Sequence, residues 1–171
     1  SSNQLFIFWG DNTGSASTDF AGITATSNTF ALNTWTFFAI VTDFATGTGD
    51  TTIYLGDSAL RIQTGKTAAG NNAIDDPVYP SGTATVAREI LGDDVYTKMA
   101  MKNLAIYSGE LNSANITALY NSGDYMSFEE DKGNYNTSSS LKGYWEFNNG
   151  ENFIQDLTNN QATGTIYGAK Y

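Results

Sequence analysis

Apolar and polar residues alternate along the chain in short runs, and turns rich in Gly, Asn, Asp and Thr separate these runs. A period of two residues places alternate side chains on opposite faces of an extended strand. Many short strands at close spacing favour an all-β sandwich or barrel. Strands are predicted at residues 4–10, 20–26, 35–44, 51–56, 59–63, 83–92, 96–108, 141–148 and 162–167.

The clearest strand pattern lies in residues 33–56. One face of the first strand carries Trp35, Phe37, Ala39 and Val41, and the other carries Phe38, Ile40 and Phe44. A strand that is apolar on both faces belongs in the middle of a covered sheet. The Gly-rich turn that follows predicts an antiparallel return strand, whose inward residues are Ile53 and Leu55.

Two segments break the strand pattern. Residues 111–120 follow helical spacing, with Asn112 or Ser113 as the N-cap and Gly123 as the end, and they predict one short helix. Residues 64–82 hold both prolines of the chain and predict a long loop.

A further strand pattern comes late, at "LKGYWEFNNG". It places one set of side chains on a buried face (Leu141, Gly143, Trp145, Phe147) and another on a polar face (Lys142, Tyr144, Glu146, Asn148). The polar segment before it, residues 124–140, is predicted to be a linker or an excursion.

Composition narrows the chemistry. Cys and His are both absent, which removes disulfides, thiolate or imidazole metal sites, and His-dependent catalysis. The formal charge is −10, from 8 basic and 18 acidic residues, so the chain repels nucleic acid and anionic membrane surfaces. No apolar run approaches the ~20 residues that span a bilayer, and no signal-peptide core is visible at the N-terminus.

Two stretches resemble laminin G-like domains of the concanavalin A-like lectin and glucanase superfamily. The first pairs "NTWTFFAIVTD" and "TTIYLGDS" with "KNLAIYSGELNSANITALYNSG", although "KMAMKN" replaces the usual glycine before the last strand. Its matching positions are Met101, Leu104, Ala105, Ile106, Tyr107, Leu111, Ile116, Leu119, Tyr120, Asn121 and Gly123. The second, at residues 141–171, resembles the usual opening of such a domain, through Trp145, Phe147, Asp156, Thr158, Asn160, Gly164 and Gly168.

This resemblance implies a two-sheet antiparallel jelly-roll sandwich, concanavalin A-like, with one short helix. Residues 1–123 are then the main body and 124–140 the linker. Residues 141–171 either complete the same sandwich or open a neighbouring repeat. Completion is favoured, because a sandwich without its edge strands would expose unpaired backbone groups.

No catalytic constellation is present. Glucanases of the superfamily carry paired carboxylates on one strand, where acid and nucleophile flank the scissile bond. The acidic run here, Glu129 to Asp131, lies in the polar segment and is interpreted as a solvated run. The chain is therefore predicted not to be an enzyme, and no cofactor is required.

Calcium is a possible ligand at the sandwich rim, as the resemblance implies. The candidate ligands are Asp11, Asp93 and Asp94, which follow strands in "WGDNTG" and "LGDDV". The competing interpretation, which is favoured, is that Asp and Asn satisfy turn backbones at these positions.

Sugar binding needs aromatic faces with amides or carboxylates nearby. The candidates beside predicted loops are Trp9, Asn12, Tyr79, Tyr96 and Tyr125, whereas Trp35 and Trp145 fit the core by their strand patterns. Two triplets, at Asn115 and Asn136, match the glycosylation acceptor pattern, and only Asn136 lies outside the predicted helix.

The leading prediction is a non-catalytic recognition module that binds glycans or another cell-surface ligand, within an extracellular or virion-borne protein. The alternative is a structural part, such as a capsid decoration or fibre domain, that binds neighbouring subunits of a particle.

Overall fold

The computed structural model describes residues 6–10, 20–24, 31, 33–43, 50–57, 59–64, 67–69, 100–124, 126–147 and 153–165. The strands are β1 (Phe6–Gly10), β2 (Phe20–Thr24), β3 (Phe37–Asp43), β4 (Asp50–Gly56), β5 (Leu60–Thr64), β6 (Thr67–Ala69), β7 (Leu104–Tyr107), β8 (Leu141–Trp145), β9 (Phe153–Ile154) and β10 (Gly164–Thr165). One α-helix, α1 (Ser113–Tyr120), and 3₁₀ turns at Asn121–Gly123 and Ser138–Ser140 complete the described elements.

All described strand pairs are antiparallel. The coarse prediction, strands in antiparallel sheets with one short helix, is confirmed. Within the described residues no helix is both long and apolar enough to cross a membrane.

The chain divides into two compact units. The first contains Ser1–Pro80 and Gly109–Ser138, and the second contains Ser81–Ser108 and Ser139–Tyr171. These units do not coincide with the predicted segments 1–123, 124–140 and 141–171, and that division stays a prediction.

The described residues of the first unit form two three-stranded sheets. In one, β2 lies between β1 and β6, and in the other β4 lies between β3 and β5. The predicted hairpin is confirmed as β3–β4, and its inward residues Ile53 and Leu55 are 0% and 2% exposed.

The predicted central position of β3 is wrong within the described sheet. The central strand is β4, while β3 lies at one end of the order β3–β4–β5. Phe38 and Ile40 of β3 stay about two-fifths exposed, although they pair with the buried Leu55 and Ile53. An apolar residue on an end strand has a neighbouring strand on one side only, which explains the difference.

Helix α1 begins where the sequence predicts it. Asn112 is the N-cap: its side chain accepts the backbone N–H of Asn115, and the Asn115 side chain accepts the backbone N–H of Asn112. This reciprocal pair satisfies two donors that the first turn would otherwise leave unpaired. The helix ends in a left-handed Asn121, with a φ of 43°, and Gly123 follows at a φ of 90°.

The helix packs against the hairpin through Tyr120. Its ring lies over Gly56 of β4 and 5.7 Å from the ring of Phe37, measured between centroids. Its hydroxyl donates to the backbone carbonyl of Asp57 at 2.9 Å.

The segment after the helix, predicted to be a linker or an excursion, forms an ordered loop. Tyr135 is 0% exposed, and its hydroxyl donates to the carbonyl of Phe128 at 2.6 Å. Lys132 and Tyr135 exchange backbone hydrogen bonds of 2.8 and 3.1 Å. Asn115 of α1 donates to the carbonyl of Asn134 at 2.7 Å and so ties the loop to the helix.

In the second unit the late strand β8 pairs with β7 of the same chain, from Leu104 opposite Trp145 to Tyr107 opposite Leu141, with a bulge at Ile106/Tyr107. Tyr144, predicted on the polar face, is 0% exposed. Its burial is possible because its hydroxyl donates to Glu146 at 2.7 Å.

Candidate functional site

Most residues predicted to bind a ligand lie outside the described part of the chain. These are Asn12, Tyr79, Tyr96 and Tyr125 for sugar, and Asp11, Asp93 and Asp94 for calcium. Trp9 lies in β1, where it pairs with Ala21 of β2. All these assignments stay predictions.

Trp35 is the most exposed large apolar residue among those described, at 67% of its surface. Its prediction as a core residue is wrong. A tryptophan with two-thirds of its surface in water is unusual, because this side chain is highly buried on average. An exposed indole of this size is therefore a candidate contact for a ligand.

Local backbone geometry explains the error. Asn33 adopts a left-handed φ of 57°, and the hydroxyl of Thr36 donates to the carbonyl of Thr34 at 3.3 Å. Residues 33–36 are thus a turn, and β3 begins only at Phe37. The alternation that places strand residues on two faces does not extend to Trp35. The "NT" pair before Trp35 is a turn signal that could have revealed this.

Polar neighbours flank the indole along the chain. Asn33 and Thr34 are both exposed and carry an amide and a hydroxyl. An aromatic face beside an amide is the combination that protein sites use to hold a sugar ring and its hydroxyl groups. The turn of residues 33–36, with the Trp35 side chain at its centre, is named here the Trp35 turn.

A second exposed feature lies on β3. Phe38 and Ile40 share one face of this strand and are 42% and 41% exposed. Two adjacent apolar side chains on an end strand are suited to contact another protein surface.

The acidic run lies in the ordered loop after α1. Glu129, Glu130 and Asp131 are all exposed, which confirms the interpretation as a solvated run. The backbone N–H and then the hydroxyl of Ser138 hold the pKa of Asp131 below its ordinary value of 3.8. This hydrogen bonding gives Asp131 a structural role in the loop.

A depression of about 310 Å³ lies beside this run, lined by Met126, Ser127, Glu130, Asp131 and Lys132. Its volume is at the lower end of the ~300–1,000 Å³ range of ligand pockets.

In the described ranges, no three His, Cys, Asp or Glu side chains are grouped to hold a metal ion.

Asp156 is the one buried carboxylate among the described residues, at 2% exposure. Its Oδ1 accepts the N–H groups of Tyr144 and Thr158 at 3.0 and 2.9 Å and the Thr158 hydroxyl at 2.8 Å. Its Oδ2 accepts the N–H of Ala162 at 3.0 Å. Four donors already surround this carboxylate, so it holds the loop together and is not available to a cation.

The rest of this loop has the same role. Asn160 donates from Nδ2 to the carbonyl of Lys142 at 2.7 Å, and the indole N–H of Trp145 donates to the carbonyl of Ala162 at 2.7 Å. The D-x-T-x-N pattern therefore fastens residues 156–162 to β8.

Comparisons with protein-family models, with curated proteins and with solved structures find no match. Function must therefore be inferred from the residues themselves.

Proposed function

We propose that this chain is a non-catalytic module that binds a glycan at a surface, and that the Trp35 turn belongs to its binding site. The observation that carries the proposal is the 67% exposure of Trp35. Its indole offers a rigid apolar face, and its ring N–H is a hydrogen-bond donor.

The apolar C–H face of a sugar ring can stack on an exposed indole, while hydroxyl groups at the ring edge need polar partners. Asn33 and Thr34, the two residues before Trp35 in the sequence, are exposed and carry an amide and a hydroxyl. This arrangement needs no metal and no titrating group, which suits a chain without His or Cys.

The charge of the chain favours neutral glycans. A formal charge of −10 repels sulfated and uronic-acid sugars as it repels other polyanions. The proposed ligand class is therefore a neutral oligosaccharide at a cell or particle surface, and the proposed location is extracellular or on a virion.

The fold proposed for this module is the laminin G-like jelly-roll sandwich. Support comes from the antiparallel β3–β4 hairpin and from the pairing of β7 with the late strand β8. In this proposal residues 141–171 complete the sandwich of their own chain. Calcium is not required, and Asp11, Asp93 and Asp94 are the positions where it would bind.

A second candidate function is structural: a decoration or fibre domain that binds neighbouring subunits of a particle. The exposed Phe38 and Ile40 on β3 favour it, because an apolar end strand can be covered by another chain. The glycan proposal is preferred because the exposed Trp35 has polar residues on both sides of it in the sequence.

The test is binding of the purified chain to an array of neutral and acidic oligosaccharides, followed by titration of the best ligand. We expect Trp35→Ala to weaken binding about tenfold or more, as loss of a central aromatic contact does. Trp35→Phe should retain part of the affinity, because an aromatic face remains.

The matched control is Ile62→Ala, since Ile62 is also exposed, at 52%, but offers no aromatic face. Equal affinity of Trp35→Ala and the unsubstituted chain would contradict the proposal. Retention of acidic glycans alone would contradict the proposed ligand class.

A further inference from the structure

Two Asn-x-Ser/Thr triplets occur in the chain, at Asn115 and Asn136. In the structure Asn115 is buried, whereas Asn136 is exposed. Such a triplet accepts an oligosaccharide on the side-chain nitrogen of its Asn. The glycan is bulky and hydrophilic, so the folded chain must leave that nitrogen in water. This requirement can be tested on the geometry of each amide.

Both the nitrogen and the oxygen of the Asn115 side-chain amide form hydrogen bonds within the fold. Its Nδ2 donates to the carbonyl of Asn134 at 2.7 Å and to Oδ1 of Asn136 at 2.9 Å. Its Oδ1 accepts the backbone N–H of Asn112 at 3.3 Å. With 1% of its surface exposed, Asn115 has neither a spare hydrogen nor space for a sugar.

These contacts also fix the orientation of Asn136. The Asn134 carbonyl can only accept, so the Asn115 atom that faces it must be the NH₂ group. The same NH₂ group faces Asn136, which must then present its oxygen. The nitrogen of Asn136 is therefore not the atom that Asn115 holds, and Asn136 as a whole is exposed.

We propose that Asn136 is an N-glycosylation site of this chain in a eukaryotic secretory pathway, and that Asn115 is not occupied in the folded protein. In the transfer, Nδ2 of Asn136 attacks the anomeric carbon of a lipid-diphosphate-linked oligosaccharide. The bond from that carbon to the diphosphate oxygen breaks, and the lipid diphosphate leaves. Nδ2 gives up one proton and keeps one.

A glycan on Asn136 is compatible with the hydrogen bonds that Asn115 of α1 donates to the loop. The glycan is attached to Nδ2 of Asn136, whereas Asn115 uses its Oδ1. A glycan on Asn115 would instead remove one of the two hydrogen bonds that its Nδ2 donates, and it would need space around a side chain that is 1% exposed. This inference is independent of the proposed glycan ligand, because here the sugar is a covalent modification.

The test is secretion of the full chain from a eukaryotic cell line behind an added leader. Intact mass is measured before and after enzymatic release of N-glycans in ¹⁸O-labelled water. We expect one glycan per chain, and its release should leave a labelled Asp at position 136 and none at position 115.

Three variants sharpen the result. Ser138→Ala should abolish the glycan while Asn136 stays in place, and Ser138→Thr should retain it. Thr117→Ala removes the other triplet, together with the hydrogen bond from the exposed Thr117 hydroxyl to the Ser113 carbonyl, and should leave the glycan mass unchanged. Secreted chain without a glycan at Asn136, or folded chain with a glycan at Asn115, would overturn the proposal.

Discussion

Asp156 shows how a single side chain can fix a loop. Burial raises the pKa of its carboxyl, but hydrogen bonds from the backbone of Tyr144, Thr158 and Ala162, and from the Thr158 hydroxyl, outweigh burial and bring the pKa below its ordinary value of 3.8. The carboxylate is therefore stabilised in its charged form. Because the native state binds its proton less tightly than the unfolded chain, this contribution is present above the unfolded pKa and is lost as pH falls through the folded pKa.

We expect Asp156→Asn to lower the free energy of unfolding by about 1–3 kcal/mol at pH 7. An amide can still accept from Tyr144 and Thr158, but its NH₂ group would face the N–H of Ala162, so two donors would oppose each other. Urea unfolding followed by fluorescence measures the difference.

The difference in free energy of unfolding between the unsubstituted chain and Asp156→Asn should also depend on pH. Below the ordinary carboxyl pKa the unsubstituted chain loses the contribution, so the gap between the two proteins should narrow from pH 7 to pH 3. Glu129→Gln, an exposed change, is the control and should leave the unfolding midpoint at pH 7 within error. A gap that stayed constant over this range would contradict the assigned role of the carboxylate.

The resemblance to laminin G-like domains includes Asp156, Thr158 and Asn160 among its matching positions, but it does not indicate the roles of Asn115 and Trp35. In the sequence, Asn115 stands out only as part of a glycosylation triplet. Asn115 is the N3 residue of a capping box whose N-cap is Asn112, three positions earlier, but the usual sequence signature of this box has Glu or Gln at N3. Strand periodicity predicts Trp35 in the core only if the strand begins two residues before its observed first residue, Phe37.

At the scale of elements, the contact of α1 with β4 depends on the missing side chain of Gly56. A Cβ at this position would lie 2.5 Å from Cε2 and 2.7 Å from Cδ2 of the Tyr120 ring. That ring is held on its other sides by Phe37 and by the hydrogen bond to Asp57, so it cannot swing away freely.

Gly56→Ala is therefore expected to destabilise the chain by about 1–3 kcal/mol, the usual cost of overpacking. The same change in a Tyr120→Ala background should cost much less, because the clashing ring is gone. Chemical denaturation of the four proteins in this cycle gives the coupling directly.

Tyr120→Phe is the control for the hydrogen bond. It keeps the ring and removes only the hydroxyl, so Gly56→Ala should cost as much in this background as in the unsubstituted chain. If Gly56→Ala lowered the free energy of unfolding equally with and without the Tyr120 ring, the packing of α1 on β4 would not depend on this glycine.

The elements that were predicted well are those fixed by neighbours in sequence. The β3–β4 hairpin and α1 follow from a local period, a local turn and a local cap. The order of β3, β4 and β5 and the burial of Tyr144 were not predictable in the same way, because they depend on which distant strand or side chain covers each face.

The same limit applies to the whole molecule. Alternation of apolar residues predicts an antiparallel β protein, and the absence of His and Cys narrows its chemistry. The predicted binding residues in loops depend on contacts between remote segments, which no local period encodes. The exposure of Trp35 likewise depends on which segments cover it, and the strand pattern alone does not predict it.

The final prediction concerns the size of the molecule in solution. Because β8 pairs with β7 of its own chain and a charge of −10 makes copies repel, we expect light scattering to give the mass of one chain at low salt.

If copies associate as salt screens this repulsion, residues 37–42 of β3 are the expected contact, since they carry no charge and expose Phe38 and Ile40. Ile40→Lys should then restore the single chain, whereas Ile62→Lys, at a similarly exposed position, should not. A dimer that survives dilution at low salt and is insensitive to Ile40→Lys would contradict both expectations and shift attention to an exchange of residues 141–171 between copies.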